Sequence, residues 1–387
     1  MSTSSVYHFT FLSQANNVDL NSAHLTAADM GLPEDVNIEC RLQTLRGGKQ
    51  QGSKLITLTV GDKTLRIVPT RAMAVLDVVR NGQRFGWDSP VKEVVHPHFI
   101  NAEASGGLGW LDGFNEMLVR CGYQWAGHPG KDQGERLSLH GRIQNTPASE
   151  VSLEVEQQPP YRVTLKGRVD EKRFKSTNYE VFTELAMTPD EPYVHVTDTL
   201  SNLSNYDNSY QAIYHNNFGT PILEQGASLQ IAARQVSPFN EYAQQGLAEW
   251  NQMPAPTVDF DEMVFNVFPL PDEDGQCHAL LKNANGDAGV EVSWAIETLP
   301  VLTIWKNTDT LEQGYVVGIE PGTSFAYNRT HQWDLGLVPT IAGKESKQFK
   351  LRFGLFTEAE EVQASEELID KIQITPTLVS NSPLVKL

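Results

Sequence analysis

The sequence predicts an all-β protein, one large antiparallel β domain with few short helices, and three observations carry that prediction. Through much of the chain apolar and polar residues alternate, which is the period of a half-buried strand rather than of a helix. Gly, Pro, Asn and Asp punctuate the alternating runs at the spacing of hairpins. Neither a repeat of fixed period nor a Pro/Gly/Ser-rich linker divides the 387 residues. A single domain over 1–387 is therefore more economical than two.

Taken in order, residues up to about Leu45 are mixed and belong to no clear element, and the turn-rich run 46–52 is a loop. The run 55–60, a turn at Gly61-Asp62 and the run 64–68 have the punctuation of a β-hairpin. The next strand reaches Val79, and Asn81-Gly82 turns the chain again. From 150 to 205 the pattern is β-rich. Val151, Leu153 and Val155 alternate there, as do Tyr161, Val163 and Leu165, and then Val194 and Val196. Residues 241–256 hold a short helix or a loop. Strands resume near Ala279 and include 290–294 and 301–305. Phe349, Leu351, Phe353 and Leu355 alternate in a last strand, and Thr357-Glu358-Ala359-Glu360 has capping-box spacing for one helix over about 357–372.

Composition excludes several classes of function. A hydrophobic fraction of 40% and a charged fraction of 20% are those of an ordinary globular protein. A formal charge of −18 disfavours nucleic acid and anionic membrane surfaces as partners, since both need a basic footprint. Cys40, Cys121 and Cys277 lie far apart without a CxxC, a pattern of a reducing compartment. The start, Met1-Ser2-Thr3-Ser4-Ser5, lacks the basic and apolar regions of a signal peptide, and no segment is apolar for long enough to span a bilayer. The expected location is cytoplasmic. No phosphate-cradling GxGxxG or GxxxxGK[ST] and no GxSxG is present. His96-Pro97-His98 is a poor metal pair, because Pro97 interrupts a regular strand and neither Glu93 nor Glu103 completes a ligand spacing.

Three stretches carry candidate chemistry. The run 137–143 reads as a strand with Leu137, Leu139 and Ile143 on one face and Ser138, His140 and Arg142 on the other. A histidine beside an arginine on a polar face suits a hydroxyl-rich ligand, although a half-buried strand with a wet outer face fits the same pattern. In the second stretch His215 follows Gln211 and Ile213 in register, and Asn216, Asn217 and Gly219 suggest a strand running into a polar turn. In the third, Tyr315, Val317 and Ile319 oppose Val316, Gly318 and Glu320. Gly318 leaves room beside the carboxylate, while Pro321 and Gly322 place it at a strand end on a fixed backbone. Each has a bland alternative: a core histidine satisfied by a carbonyl for His215, and an exposed rim residue for Glu320.

At this point the residues resemble a known family. Gly109-Trp110-Leu111-Asp112-Gly113-Phe114-Asn115 through Cys121-Gly122, then Leu139-His140-Gly141-Arg142, are similar to the aldose 1-epimerase, or galactose mutarotase-like, superfamily. Within it the chain resembles the branch called DUF4432. Pro69-Thr70-Arg71-Ala72-Met73 is similar to that branch's Arg-Gly-Met element, and Ile304-Trp305-Lys306-Asn307 precedes the stretch that ends at Glu320-Pro321. The resemblance implies a large antiparallel β-sandwich, the galactose mutarotase-like supersandwich, with a sugar bound in a cleft on one sheet.

It also implies roles: His140 holds the sugar, His215 is the catalytic acid and Glu320 the catalytic base. These three are expected to converge on one cleft, with Arg71, Arg142 and Lys306 as further substrate-binding candidates for its rim. The Asn-Arg sugar clamp of galactose mutarotases is not evident. Cys121-Gly122 occupies that region, and Ala72 replaces the branch's usual glycine. The implied reaction is exchange of sugar anomers, which needs one base for the anomeric hydroxyl and one acid for the ring oxygen. It requires no metal and no organic cofactor. The implied partner is a monosaccharide or sugar derivative. A non-catalytic sugar-binding or sensing protein, or another sugar isomerase or lyase on the same fold, stays open as an alternative.

Overall fold

The structure is a computed structural model that describes residues 5–386. Met1, Ser2, Thr3, Ser4 and Leu387, which the domain span 1–387 includes and whose N-terminal members enter the signal-peptide reading, lie outside the described residues. Alternating burial in the sequence becomes two large sheets, of ten and thirteen strands. Neighbouring strands in both are antiparallel except at one edge, where Leu378–Val379 pairs parallel with Ala233–Pro238. One hydrophobic cluster, running in sequence from Phe11 to Leu355, draws side chains from both sheets. Two sheets each turning one apolar face to a shared core make a β-sandwich.

The local chemistry explains where the strands turn. Lys54–Val60 and Lys63–Val68 pair through Val60 and Lys63, with Gly61 at φ 63 in the turn. Ala74–Arg80 returns as Gln83–Phe85 through Asn81 and Gly82, both at positive φ, the conformation an Asn-Gly hairpin turn requires. The β-rich run 150–205 resolves into four consecutive antiparallel strands: Glu150–Glu156, Val163–Lys172, Asn178–Met187 and Tyr193–Asn202. The mixed N-terminal region also forms strands, Val6–Ser13, Ser22–Leu25 and Ile38–Thr44 among them, each extending a sheet edge. Residues 241–256 contain the 3-10 helix Ala243–Glu249. The last helix is Ala359–Ile372, and its N-cap is Glu358, without a side-chain cap bond, in place of the expected box from Thr357.

One expected strand is not there. In the run 137–143 pairing stops at Leu137, the end of Glu135–Leu137, and the chain turns with His140 at φ 58 and Gly141 at φ 78. The turn is tied across the end of another strand, Leu118–Tyr123. Gly122 N donates to the His140 carbonyl, Arg142 N donates to the Gly122 carbonyl, and His140 N donates to Gly127. A Cβ at position 141 would sit 2.3 Å from the Trp125 carbonyl oxygen, so only glycine fits this approach. Ser138, His140 and Arg142 therefore do not share a strand face.

The thirteen-stranded sheet positions the site. Side by side across its middle run Ala233–Pro238, Met263–Pro269, Val301–Asn307, Val316–Gly322, Gln211–Phe218 and Leu118–Tyr123. Register pairs Ser237 with Asn266, Asn266 with Thr303 and Thr303 with Glu320. Pairing of Asn216 with Ile319 and Ile213 with Gly322 sets His215 opposite Glu320. Directly paired residues point to the same face, so a polar row crosses the sheet from Ser237 to His215. It lies on the face away from the shared core.

Candidate functional site

That outer face is covered by the chain between Trp87 and Phe114. Trp87 Nε1 donates to the Glu116 carbonyl at 3.1 Å and Ser89 Oγ to the Phe114 carbonyl at 2.7 Å. Asn115 Nδ2 donates to the carbonyls of Val91 and Glu93 at 3.1 and 2.7 Å. These bonds hold Trp110 and Phe114 against Val119, Cys121, Ile213 and Val316, a small apolar cluster separate from the main core. At position 109 a Cβ would lie 1.8 Å from the Asn101 carbonyl oxygen, so the glycine before Trp110 lets the cover close.

Under this cover the structure brings His140, His215 and Glu320 together. His215 Nε2 lies 3.1 Å from Glu320 Oε1, close enough for proton exchange although not aligned as a hydrogen bond. The His140 ring centre is 5.6 Å from that of His215 and 4.9 Å from Trp110. Phe114 and Trp305 approach His215 at 5.1 and 5.3 Å, which gives the imidazole aromatic walls. All three polar residues are buried, His140 at 6%, His215 at 5% and Glu320 at 1% exposed.

His215 stands in mid-strand, not before a polar turn. Asn216 and Asn217 continue the strand and brace it, Asn216 Nδ2 to the Ile319 carbonyl at 2.8 Å and Asn217 Nδ2 to the Glu116 carbonyl at 3.0 Å. Glu320 likewise lies within Val316–Gly322 and is no exposed rim residue. Gly318 is adjacent on the same face, and a Cβ there would come 2.6 Å from Glu320 Oε1.

The other three candidates go elsewhere. Arg71 is no rim residue: it is buried, with Nε 2.8 Å from Glu116 Oε1 and Nη2 2.9 Å from the Gly113 carbonyl, and its Nη1 bonds Asn145. Its work is to anchor the cover. Lys306 points through the sheet to the core side. Its Nζ donates to the carbonyls of Glu249 at 2.9 Å and Gln252 at 2.7 Å, and burial pushes its ammonium down to about 8. The alternation of side chains along a strand leaves the site face to Trp305. Arg142 lies beyond the turn from His140, with its guanidinium 4.6 Å above the Trp125 ring.

The site contains residues the sequence reading did not select. Trp305 and Thr303 follow from register once Glu320 is placed, and Trp110 and Phe114 occur in a motif without having been given a role. Trp305 Nε1 donates to Glu262 Oε2 at 2.7 Å. Glu262 and His128 carry no periodic signal and are recognisable only in three dimensions. His128 is partly buried against Phe239, with ring centres 5.3 Å apart. Among the described residues no group of three or more His, Cys, Asp or Glu has the arrangement to hold a metal ion. His96 caps the 3-10 turn Pro97–Phe99, which contains His98, and its Nδ1 accepts from His98 N at 3.1 Å.

Electrostatics follow from burial. The Glu320 carboxyl is pushed well above the usual carboxylate range by burial, and the nearby Glu262 charge adds to this. Burial lowers His215 to about 3 and His140 well below the usual range, with His215 and His128 opposing a charge on His140 as well. Burial thus disfavours the charged form of all three groups, which biases the cleft toward a protonated Glu320 carboxyl beside neutral imidazoles. Trp110 Nε1, Thr303 Oγ1, Glu320 Oε1 and the Nδ1 atoms of His140 and His215 are buried without a hydrogen-bond partner. Buried polar atoms are normally paired, so this concentration suits a ligand that brings its own donors and acceptors.

Comparison with known proteins agrees with this architecture. The model of a family described as a domain of unknown function, DUF4432, matches residues 50–355. A Klebsiella pneumoniae crystal structure provisionally named an aldose 1-epimerase is 43% identical and superposes with a TM-score of 0.97, covering 99% of this chain and 100% of that one. A galactose mutarotase-like protein from Clostridium acetobutylicum shares the fold at 15% identity and a TM-score of 0.57, over 83% of this chain and 98% of that one. Galactose 1-epimerase from Lactobacillus acidophilus does so at 11% identity and a TM-score of 0.52, over 82% of this chain and 98% of that one. No curated protein matches the sequence.

Proposed function

Since this chain belongs to the DUF4432 family and has the galactose mutarotase-like sandwich, we propose that it is an aldose 1-epimerase that interconverts the anomers of a sugar. The observation that carries the reading is the approach of His215 Nε2 to Glu320 Oε1 at 3.1 Å inside an aromatic-walled, partner-poor cleft. Anomer exchange opens a cyclic sugar by taking the proton from the anomeric hydroxyl while giving one to the ring oxygen. Rotation about the first carbon–carbon bond then allows closure on either face. A base and an acid sharing one proton suffice, each contributing about 10²–10⁴-fold.

In this scheme Glu320 takes the anomeric proton and His215 supplies the ring oxygen. Burial biases the shared proton toward Glu320 before sugar binds, because it disfavours the ionised carboxylate. Sugar hydroxyls donating to the carboxylate favour the ionised form, which returns the proton to the imidazole and poises both groups. His140 holds a hydroxyl from the side, and Trp110 Nε1 and Thr303 Oγ1 are further partners for the ring substituents. The faces of Phe114 and Trp305 suit the apolar face of a sugar. A purely binding or sensing protein would have no use for an acid and a base 3.1 Å apart.

Anomer-exchange NMR on a panel of free and phosphorylated aldoses and ketoses tests the proposal. Exchange of at least one sugar well above its spontaneous rate is expected. Binding without exchange across the panel would replace the enzyme by a sensor.

A further inference from the structure

A large cavity of about 900 Å³ lies outside the cleft just described, at one end of the sandwich. Ligand sites run from about 300 to 1,000 Å³, so its size is that of a place for several sugar rings rather than for one ion or water cluster. On one side it is bounded by the turn 173–177 between Val163–Lys172 and Asn178–Met187 of the ten-stranded sheet. On the other it meets Gln124 and Trp125, where the chain leaves Leu118–Tyr123 of the thirteen-stranded sheet.

Two features point to its occupant. Phe174 and Tyr206, on separate loops, stand at this cavity with 88% and 77% of their surface exposed. Aromatic rings kept in water beside a polar concavity are characteristic of interaction sites, because a ring covers a large area at little cost in side-chain entropy. The second feature is the lining, which is amide- and hydroxyl-rich through Gln124, Ser176, Thr177, Asn178, Asn208 and Ser209. Thr177 is 94% buried, being 6% exposed, and its Oγ1 has no hydrogen-bond partner.

The charged groups there largely neutralise one another. Arg173 pairs with Glu135 at 2.8 Å, Lys172 with Asp170 at 2.6 Å and Arg329 with Asp132 at 3.0 Å. Lys175 has its ammonium over the Phe174 ring at 5.6 Å, and the rest of the lining offers amides, hydroxyls and the open faces of two rings, the chemistry that binds neutral carbohydrate. We propose that this cavity is a second carbohydrate site, for a neutral oligosaccharide stacked on Phe174 and Tyr206 and hydrogen-bonded to the amide and hydroxyl lining. Its floor is firm. Arg329 also reaches Gln211 Oε1 at 3.1 Å, on the strand that carries His215, and Trp125 Nε1 holds the Ser138 carbonyl at 2.7 Å, two residues before His140.

The inference is independent of the anomer-exchange reading, and its test keeps the two apart. Maltohexaose, cellohexaose, xylohexaose and galactotetraose are offered to the full chain in saturation-transfer NMR and calorimetry. At least one should bind to the wild type and to Glu320→Gln alike. Its affinity should fall by about tenfold or more, ~1.4 kcal/mol, in Phe174→Ala/Tyr206→Ala, with monosaccharide anomer exchange unchanged. Both substituted side chains are exposed, so folding should be unaffected. No binding of any of the four glycans, or undiminished binding by the double variant, overturns the proposal. So does a lower mass of the double variant in light scattering, which would make these rings a contact between copies of the chain.

Discussion

Glu320 owes its proposed reactivity to its surroundings, and those surroundings make testable demands on single side chains. Glu262 raises the Glu320 pKa further, so Glu262→Gln should let Glu320 ionise at lower pH. If Glu320 acts as the base, the acid limb of kcat/KM should move to lower pH in this variant, while a limb that stays in place would detach Glu262 from the site. Gly318→Ala puts a methyl group where only 2.6 Å separates it from Glu320 Oε1. Thermal stability should change little, but exchange should fall sharply, and a rate within twofold of wild type would show that the carboxylate does not need that space. Strand alternation drew notice to His215 and Glu320, but the neighbouring Asn, Gly and Pro suggested strand ends where the strands in fact continue, and the proposed roles came only from the family resemblance. Lys306 entered as a rim candidate from the run Ile304-Trp305-Lys306-Asn307, whereas alternation along that strand gives the site face to Trp305. Glu262 and His128 sit on irregular chain, where no period exists to read.

Among the elements, the turn at Ser138-Leu139-His140-Gly141 shows how a backbone contact overrides a side-chain pattern. Leu137, Leu139 and Ile143 alternate as a strand would, yet Gly141 allows the chain to cross Gly122, and the hydrogen bonds go to the end of another strand. The Asn81-Gly82 hairpin was legible because its turn chemistry is local. The cover from Trp87 to Phe114 was not, since it is held by side-chain bonds to distant carbonyls. A second element-level feature joins the sheets beneath the site: Arg120, next to the site strand, meets Asp198 of the opposite sheet at 2.5 Å in the core, where Tyr214 and Thr183 also donate to the carboxylate. Asp198→Ala leaves a buried guanidinium without its charge partner and should cost about 3–5 kcal/mol. Urea unfolding monitored by tryptophan fluorescence measures this, and a loss below about 1 kcal/mol would mean that water or another carboxylate replaces the pair.

For the molecule as a whole, fold class was legible because period-2 alternation needs no knowledge of partners, while the strands before Leu45 were hidden by short length and mixed polarity at sheet edges. Stability should also carry a pH signature away from the site. His278 Nε2 lies 3.1 Å from Asp272, and Nδ1 lies 3.5 Å from Glu291, which also pairs with Arg352 and accepts from Ser365 of the last helix. These carboxylates raise His278, so its contribution is full below about pH 6.5 and is lost as pH rises through the elevated value. Asp272 and Glu291 are lowered, so theirs is present above about pH 4 and is lost as pH falls through the lowered values. His278→Gln should therefore lose most stability between those limits, as urea midpoints across pH would reveal. The proposed function itself rests on a carboxylate that must lose and regain a proton. Glu320→Gln keeps its size and removes its basicity, so anomer exchange by NMR beside calorimetric affinity for the same sugar isolates that role. The expected result is a rate lower by about 10²–10⁴-fold with sugar affinity retained, and an unchanged rate would contradict it.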